Sequence, residues 1–260
     1  MLGPFTYLSL FTGAGGGDLA CQHLLGWRCL GYVEIDEYCQ KVIAQRIKDG
    51  FLNEAPIFTD IRTFISDGYA ASYQGMVDVV TGGFPCQDIS SAGSMRGING
   101  KRSSLWRSMA EVVRQARPKF ALVENSPMLT IRGLGDVLRE LAEMRRNARW
   151  KVFSACEFGA PHTRERLFAV SNAECDRRRA GSSLMGWAWG NLQNEKRNAS
   201  APRQDGKQFR REVARCNWWN SEPDVGRVAN GLAYGVDRLR AIGNGQVPIM
   251  AATAWEILSQ

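Results

Sequence analysis

The chain has 260 residues, enough for one well-buried domain or for one domain carrying a small insertion. Hydrophobic residues make up 44% and charged residues 23%, and no apolar run reaches 18 residues, which excludes a disordered, fibrous or membrane-spanning chain. The formal net charge of +7 is unevenly placed: residues 172–240 hold 13 Lys/Arg against 8 Asp/Glu, the remainder 20 against 18. A near-neutral body with one basic segment suits a chain that meets a polyanion there, although a solvated charged surface has the same composition.

Tyr7 to Leu10 is the first predicted strand. The glycine-rich turn Phe11-Thr-Gly-Ala-Gly-Gly-Gly-Asp18 follows, then a predicted helix, Leu19–Leu25. Strand, glycine turn and helix open many nucleotide-binding α/β units, because glycine lets backbone approach a ligand and the helix start is electropositive; a plain tight turn also needs glycine. Arg28 to Val33 is the second strand, and Glu34 at its end is a candidate for ribose hydroxyls, unless it is simply an acid before a helix. An amphipathic helix is predicted over Glu37–Lys48, and Phe58-Thr-Asp60-Ile61-Arg62 is a third strand end whose acid suits an adenine amino group.

Asp78 to Thr81 is a short apolar strand expected to end at Gly82-Gly83, with Pro85 stiffening the turn that presents Cys86. In open α/β sheets ligands bind at this end of the strands. Gln87 to Ser104 is rich in Gly and Ser and is predicted to form a mobile loop over the site. Two readings of Cys86 stand at this point: a nucleophile under a closing loop, or a buried, inert thiol, the commoner fate of cysteine. The seven cysteines are scattered, odd in number and never in a C-x-x-C pair. With only His23 and His162 beside them, reduced thiols and no metal site are expected.

Leu105–Arg117 has helical spacing. Phe120-Ala-Leu-Val-Glu124 is a buried strand ending in an acid, followed by a helix over Leu134–Met144. Two more strands, Lys151–Ser154 and Leu167–Val170, are joined by a segment containing Arg164-Glu-Arg166. The alternation then stops. Residues 171–235 are basic, irregular in pattern and hold Trp187, Trp189, Trp218 and Trp219, which could stack on bases or form a small core of their own. The chain closes with Gly243-Asn-Gly-Gln-Val-Pro248 and a helix, Ile249–Leu258. The opening residues Met1 to Tyr7 lack the basic region of a leader, so a soluble, cytoplasmic protein is expected.

Taken together, these blocks resemble the cytosine-C5 DNA methyltransferases, in the family's own order, over most of residues 7–170 and 236–258. Leu10-Phe-Thr-Gly-Ala-Gly-Gly resembles the first cofactor motif, and Gly83-Phe-Pro-Cys-Gln87 the highly specific nucleophile block. Val123-Glu-Asn125 resembles the Glu-Asn-Val block with Ser126 in place of valine. Arg164-Glu-Arg166 looks like the paired-arginine block, with His162 where glutamine is usual. Gly243-Asn-Gly-Gln-Val-Pro248 resembles the closing Gly-Asn-Ser block with Gly245 for serine.

The resemblance implies a Rossmann-like S-adenosylmethionine-dependent methyltransferase fold, α/β with a mostly parallel sheet and one antiparallel strand near an edge. Residues 1–170 plus 236–260 would form the catalytic domain, and 171–235 a small irregular target-recognition insertion. It implies Cys86 as the thiolate that adds to cytosine C6, Glu124 at N3, and Arg164 near O2 with Arg166 beside it. The S-adenosylmethionine pocket would comprise Phe11, Thr12, Gly13, Ala14, Gly15, Glu34, Ile35, Asp60, Ile61, Pro85 and Asn244, and DNA contacts would include Gln87, Ser90, Arg210 and Arg211. The partner implied is double-stranded DNA, bound by a monomer in a prokaryotic or phage-infected cell. An RNA cytosine-C5 methyltransferase on the same scaffold, a catalytically silent DNA-binding relative, and thymidylate-synthase-like chemistry on free nucleotides remain as alternatives.

Overall fold

The computed structural model describes residues 4–85, 104–160, 162–173 and 245–260. Cys86, Gln87, Ser90, Arg210, Arg211, Asn244 and the four tryptophans between Trp187 and Trp219 lie outside the described residues. Seven strands form one sheet: β1 (Thr6–Leu10), β2 (Arg28–Val33), β3 (Ile57–Phe58), β4 (Val79–Gly83), β5 (Phe120–Asn125), β6 (Arg146–Ser154) and β7 (Glu165–Ala173). Their order is β3-β2-β1-β4-β5-β7-β6. β3, β2, β1, β4 and β5 pair parallel, whereas β7 runs antiparallel to both β5 and β6. The expectation of a mostly parallel sheet with an antiparallel strand near one edge is borne out.

Helices cover both faces. One side carries α3 (Ile61–Ser66), α4 (Tyr69–Ser72), α5 (Ser104–Ala116), α6 (Leu129–Arg132) and α7 (Leu134–Glu143). The other carries α1 (Gly16–Leu19), a π-helical turn (Ala20–Leu24), α2 (Glu37–Lys48) and α8 (Pro248–Leu258). Successive strand residues alternate between the layers, as a pleated strand requires. Leu8, Val80, Ala121 and Val123 join the α5 side, and Tyr7, Val79, Leu122 and Phe168 the α8 side. α8 is buried along most of its length. Its Trp255 meets Trp27 edge-on at 4.5 Å and Phe120 at 5.1 Å, fixing the end of the chain on its beginning. No helix among the described residues is long and apolar enough to cross a membrane.

Four elements differ from expectation. The helix predicted from Leu19 starts at Gly16 and widens after Leu19 into a π turn, closed by Leu25 N–H donating to Ala20 O at 3.0 Å. β4 continues through Gly82 and Gly83, because both pair with β5, and a missing Cβ lets Gly82 lie against Leu10 of β1. β6 begins at Arg146 rather than Lys151. Arg146 is buried, and its guanidinium donates to Pro118 O, Lys119 O and Ser171, so the charge is neutralised by carbonyl dipoles instead of water. β7 runs to Ala173, past Val170, so Ser171 to Ala173 belong to the sheet.

Asp18 is a buried acid that the sequence pattern did not single out. It accepts from Tyr7 Oη at 3.0 Å and Ser9 Oγ at 3.2 Å, and burial pushes its carboxyl from 3.8 up to about 6. Between those values the folded protein holds a proton that the unfolded chain has released, so this group's stabilising contribution is lost as pH rises through about 6. In urea unfolding, Asp18→Asn is expected to remove a fall on the order of 2–3 kcal/mol between pH 4 and pH 7. An identical pH slope in the variant would contradict this assignment.

Candidate active site

The carboxyl ends of the parallel strands form one rim. β1 ends at the turn Phe11 to Gly15, β2 at Glu34 and Ile35, β3 at Asp60 and β4 at Phe84 and Pro85. β5 brings Glu124 to the same rim. β7 runs the other way, so its first residues, not its last, arrive there: Asn125 pairs with Leu167 and Glu124 with Phe168. The reversal places Arg164, Glu165 and Arg166 beside the acid that ends β5.

The glycine turn is shaped for a close approach. Gly13 and Gly15 have φ of 57° and 81°, a region that L side chains rarely enter, and Phe11 holds φ 52° despite its side chain. Among the described residues, a Cβ on Gly13 would meet nothing within 4 Å, so they leave open space above the turn. Glu34 is buried and its two oxygens accept from Gly13 N at 2.6 Å and Asp36 N at 2.8 Å, tying the turn to the end of β2. Each oxygen keeps a further lone pair for a ligand hydroxyl. Ile35 exposes 66% of its surface, an apolar face beside these polar groups. Asp60 caps α3 by accepting from Arg62 N at 2.8 Å, with an exposed carboxylate. The side chains of Ile61 and Thr12 are turned inward, Ile61 into the apolar core and Thr12 onto Ser9, so these two offer a ligand backbone only.

Glu124 is the chemical centre of the other half. Its Oε1 lies 2.9 Å from Arg166 Nε, and the carboxyl is buried. Burial raises its pKa, the Arg166 and Arg164 guanidiniums lower it, and burial wins, pushing it from 4.5 up to about 7. An acid at this value can hold or share a proton at neutral pH. Arg164 is near enough to lower the Glu124 pKa; its Nη2 donates to Gly245 O at 2.6 Å, and burial lowers its own pKa. Asn125 Nδ2 donates to Phe84 O at 3.0 Å and so fixes the backbone one residue before Pro85. The sequence had paired Glu124 with Arg164 in function; the structure puts Arg166 in contact with the carboxylate. Gln246 was missed altogether. It stands against Gly16, Gly17 and Gly83, whose lack of side chains was the one available signal.

A seven-stranded sheet of this order, with a glycine turn after β1, an acid after β2 and one reversed strand, belongs to the Rossmann-like class of methyltransferase folds. The family model for C-5 cytosine-specific DNA methylase matches residues 5–214, and the chain is a member of that family. Among its relatives, the Type II methyltransferase M.FnuDI of Fusobacterium nucleatum is 34% identical over 167 residues, 63% of this chain and 45% of the relative. M.HpaII of Haemophilus parainfluenzae is 30% identical over 172 residues, 64% and 45%. M.AquIA of Picosynechococcus sp. is 32% identical over 177 residues, 64% and 71%. The chain thus spans about half the length of the first two. Two solved structures share the fold: Schizosaccharomyces pombe Dnmt2 methyltransferase (TM-score 0.52, 17% identity, 78% of this chain and 57% of that one) and Entamoeba histolytica methyltransferase EhMeth (TM-score 0.53, 15%, 68% and 56%).

Gly83 pairs with Glu124 across β4 and β5, and a Cβ there would collide with Glu124 Oε2. Gly83→Ala is therefore expected to destabilise by about 1–3 kcal/mol through overpacking. Most of that loss should vanish when Glu124→Ala is added, because the colliding atom is gone. Additive losses in urea unfolding would show that the collision is not the cause.

Proposed function

We propose that this chain is a DNA (cytosine-5-)-methyltransferase, moving a methyl group from S-adenosylmethionine to C5 of a cytosine swung out of double-stranded DNA. The observation that carries the reading is the buried Glu124, with a pKa pushed up to about 7 and held by Arg166, on the rim where β4 ends at Pro85, the residue that precedes Cys86 in the sequence. The residues at the other half of the rim fit the cofactor: open space over Gly13, carboxylates of Glu34 and Asp60 for hydroxyl and amino groups, and the exposed Ile35 for an adenine face. When bound, S-adenosylmethionine supplies an electrophilic methyl on a sulfonium.

Cytosine C5 is a weak nucleophile. The Cys86 thiolate adds to C6, and the electron pair displaced from the C5–C6 bond moves toward N3 and O2. Glu124 holds its proton at N3, so the charge is neutralised as it forms, while Arg164 and Arg166 hold the field positive at O2. C5, now electron-rich, would take up the methyl group that bound S-adenosylmethionine supplies, with S-adenosylhomocysteine as the leaving group. A base removes the C5 proton, and that electron pair restores the double bond as Cys86 leaves C6. The target atom is hidden inside a base stack, so the cytosine must leave the duplex first. Of residues 171–235, the first three belong to β7, and we assign the remainder, 174–235, the choice of DNA sequence.

DNA carrying 5-fluorocytosine cannot lose its C5 substituent. It should give a denaturation-resistant adduct in the presence of S-adenosylmethionine, and Cys86→Ser should abolish it; an adduct surviving in that variant sinks the assignment. Glu124→Gln should cut turnover by about 100-fold or more with cofactor affinity within twofold. In the unaltered protein, transfer should decline as pH rises past about 7, because the Glu124 proton is then lost. Equal methylation of matched RNA would move the substrate class.

Exchanging residues 174–235 for those of a relative with another target should change the methylated sequence. Arg210→Ala with Arg211→Ala should weaken binding to all sequences alike and flatten its salt dependence. Bisulfite sequencing reads the first result, and retention of the original site would place recognition elsewhere.

A further inference from the structure

Three glycines on two separate elements surround one residue, Gly16 facing its backbone and Gly17 and Gly83 its side chain. A Cβ on Gly16 would stand 2.5 Å from the Gln246 carbonyl oxygen, and one on Gly17 2.5 Å from Gln246 Oε1. A Cβ on Gly83 would stand 3.2 Å from Gln246 Nε2 and collide with Glu124 Oε2. None of the three has a positive φ, so backbone conformation does not call for glycine at any of them. Gly16 and Gly17 are helical, where glycine is among the poorest choices, and Gly83 is in a strand, where it packs nothing. The feature common to all three is the space left for Gln246 and Glu124.

Gln246 is itself held from both sides. The preceding residue, Gly245, accepts from Arg164 Nη2 at 2.6 Å, and the following residue, Val247, caps α8, whose Trp255 is locked against Trp27. One amide therefore touches the start of α1, just after the cofactor turn, with its oxygen end, and the Glu124 pocket with its nitrogen end.

We infer that Gln246 is a positioning residue for methyl transfer, setting the cofactor turn and the Glu124 carboxyl at a fixed mutual distance. The inference rests on the proposed function and adds to it the element that joins the two half-sites. Without the amide, the turn and the acid are joined, among the described residues, only through the β1–β4–β5 ladder, which fixes the backbones and not the carboxyl. The neutrality of the amide matters as well. Its nitrogen end lies at the Gly83 position beside Glu124, so a carboxylate in its place would repel the Glu124 charge and favour the protonated acid.

The test compares the unaltered protein with Gln246→Ala and Gln246→Glu, using S-adenosylhomocysteine affinity by calorimetry and the pH dependence of single-turnover transfer to DNA. Gln246→Ala should weaken S-adenosylhomocysteine by about fivefold or more and slow transfer at saturating cofactor by about tenfold or more. Gln246→Glu should move the alkaline decline of transfer to higher pH by about half a unit or more, which a merely space-filling role would not do. A Gln246→Ala variant that loses thermal stability while its affinity and saturated rate stay within twofold overturns the inference, as does an unmoved pH profile in Gln246→Glu. If the unaltered protein transfers no methyl group, the proposed function fails instead. Calorimetry alone then decides: weaker binding in Gln246→Ala upholds the link to the cofactor turn, and affinity within twofold overturns it.

Discussion

The reversal of one strand governs the site. In a wholly parallel sheet, each strand would reach the functional rim with its last residues, and the chain would then leave through a helix. Because β7 is antiparallel to β5, it reaches the rim with its first residues, and Arg166 comes within 2.9 Å of Glu124 without any intervening loop. Two consecutive strand partners thus carry an acid and its counter-charge on adjacent backbones, held by ladder hydrogen bonds. A pocket built this way is rigid where rigidity matters, since a carboxyl on a paired strand has little freedom to stray from its partner.

The electrostatics of that pair follow from a contest whose winner is decided by burial. An arginine contact alone would hold a glutamate ionised well below its usual range. Here two guanidiniums pull in that direction, yet removal from water pushes harder, and the carboxyl ends near 7. The arrangement is costly to folding, because a buried ion pair recovers its desolvation energy only in part. Such a cost is understandable if the group must both carry a proton and remain oriented, as an acid facing a ring nitrogen would. An exposed glutamate would be ionised at neutral pH, and one buried without arginines would have no fixed direction.

Much of the scaffold was legible from pattern. Strands β1, β2 and β5 and helices α2, α5, α7 and α8 emerged within a residue or two from apolar runs and spacing, since most of the side chains that they bury are apolar, Ser9, Glu124 and Asn125 being exceptions. β6 was half missed because its first residues, Arg146, Asn147 and Arg149, look like a solvated loop; Arg146 is buried through hydrogen bonds to distant carbonyls that no local window contains. The π turn was missed because one extra residue per turn leaves no mark on the apolar spacing of so short a segment. In the site, the acids at strand ends were legible as acids at strand ends. Which arginine faces Glu124 was not, because Arg164 and Arg166 point to the same face of a strand by parity, and only the arrival of Gly245 draws the first of them away.

The same lesson applies to the support beneath the cofactor turn. Thr12 donates to Ser9 Oγ at 3.1 Å, Ser9 donates to Asp18, and from the other direction Gln22 donates to Tyr7 Oη at 2.8 Å, which also donates to Asp18. Two donor chains therefore converge on one carboxylate that can only accept. Gln22 extends the network by donating to Tyr32 Oη at 3.1 Å and accepting from Asn53 N at 2.7 Å, so the turn after β1 is tied to β2 and to the segment leading into β3. A buried network of this kind is high-stakes, since any unsatisfied member would cost more than the bonds contribute. Its use is to hold the turn from both sides: Tyr7 and Ser9 donate to Asp18, and the Thr12 hydroxyl lies within reach of Ser9 O, Ser9 Oγ and Val33 O, so β1 and β2 both anchor it. Phe11 is held at φ 52°, a conformation it would not adopt unaided, between these anchored residues.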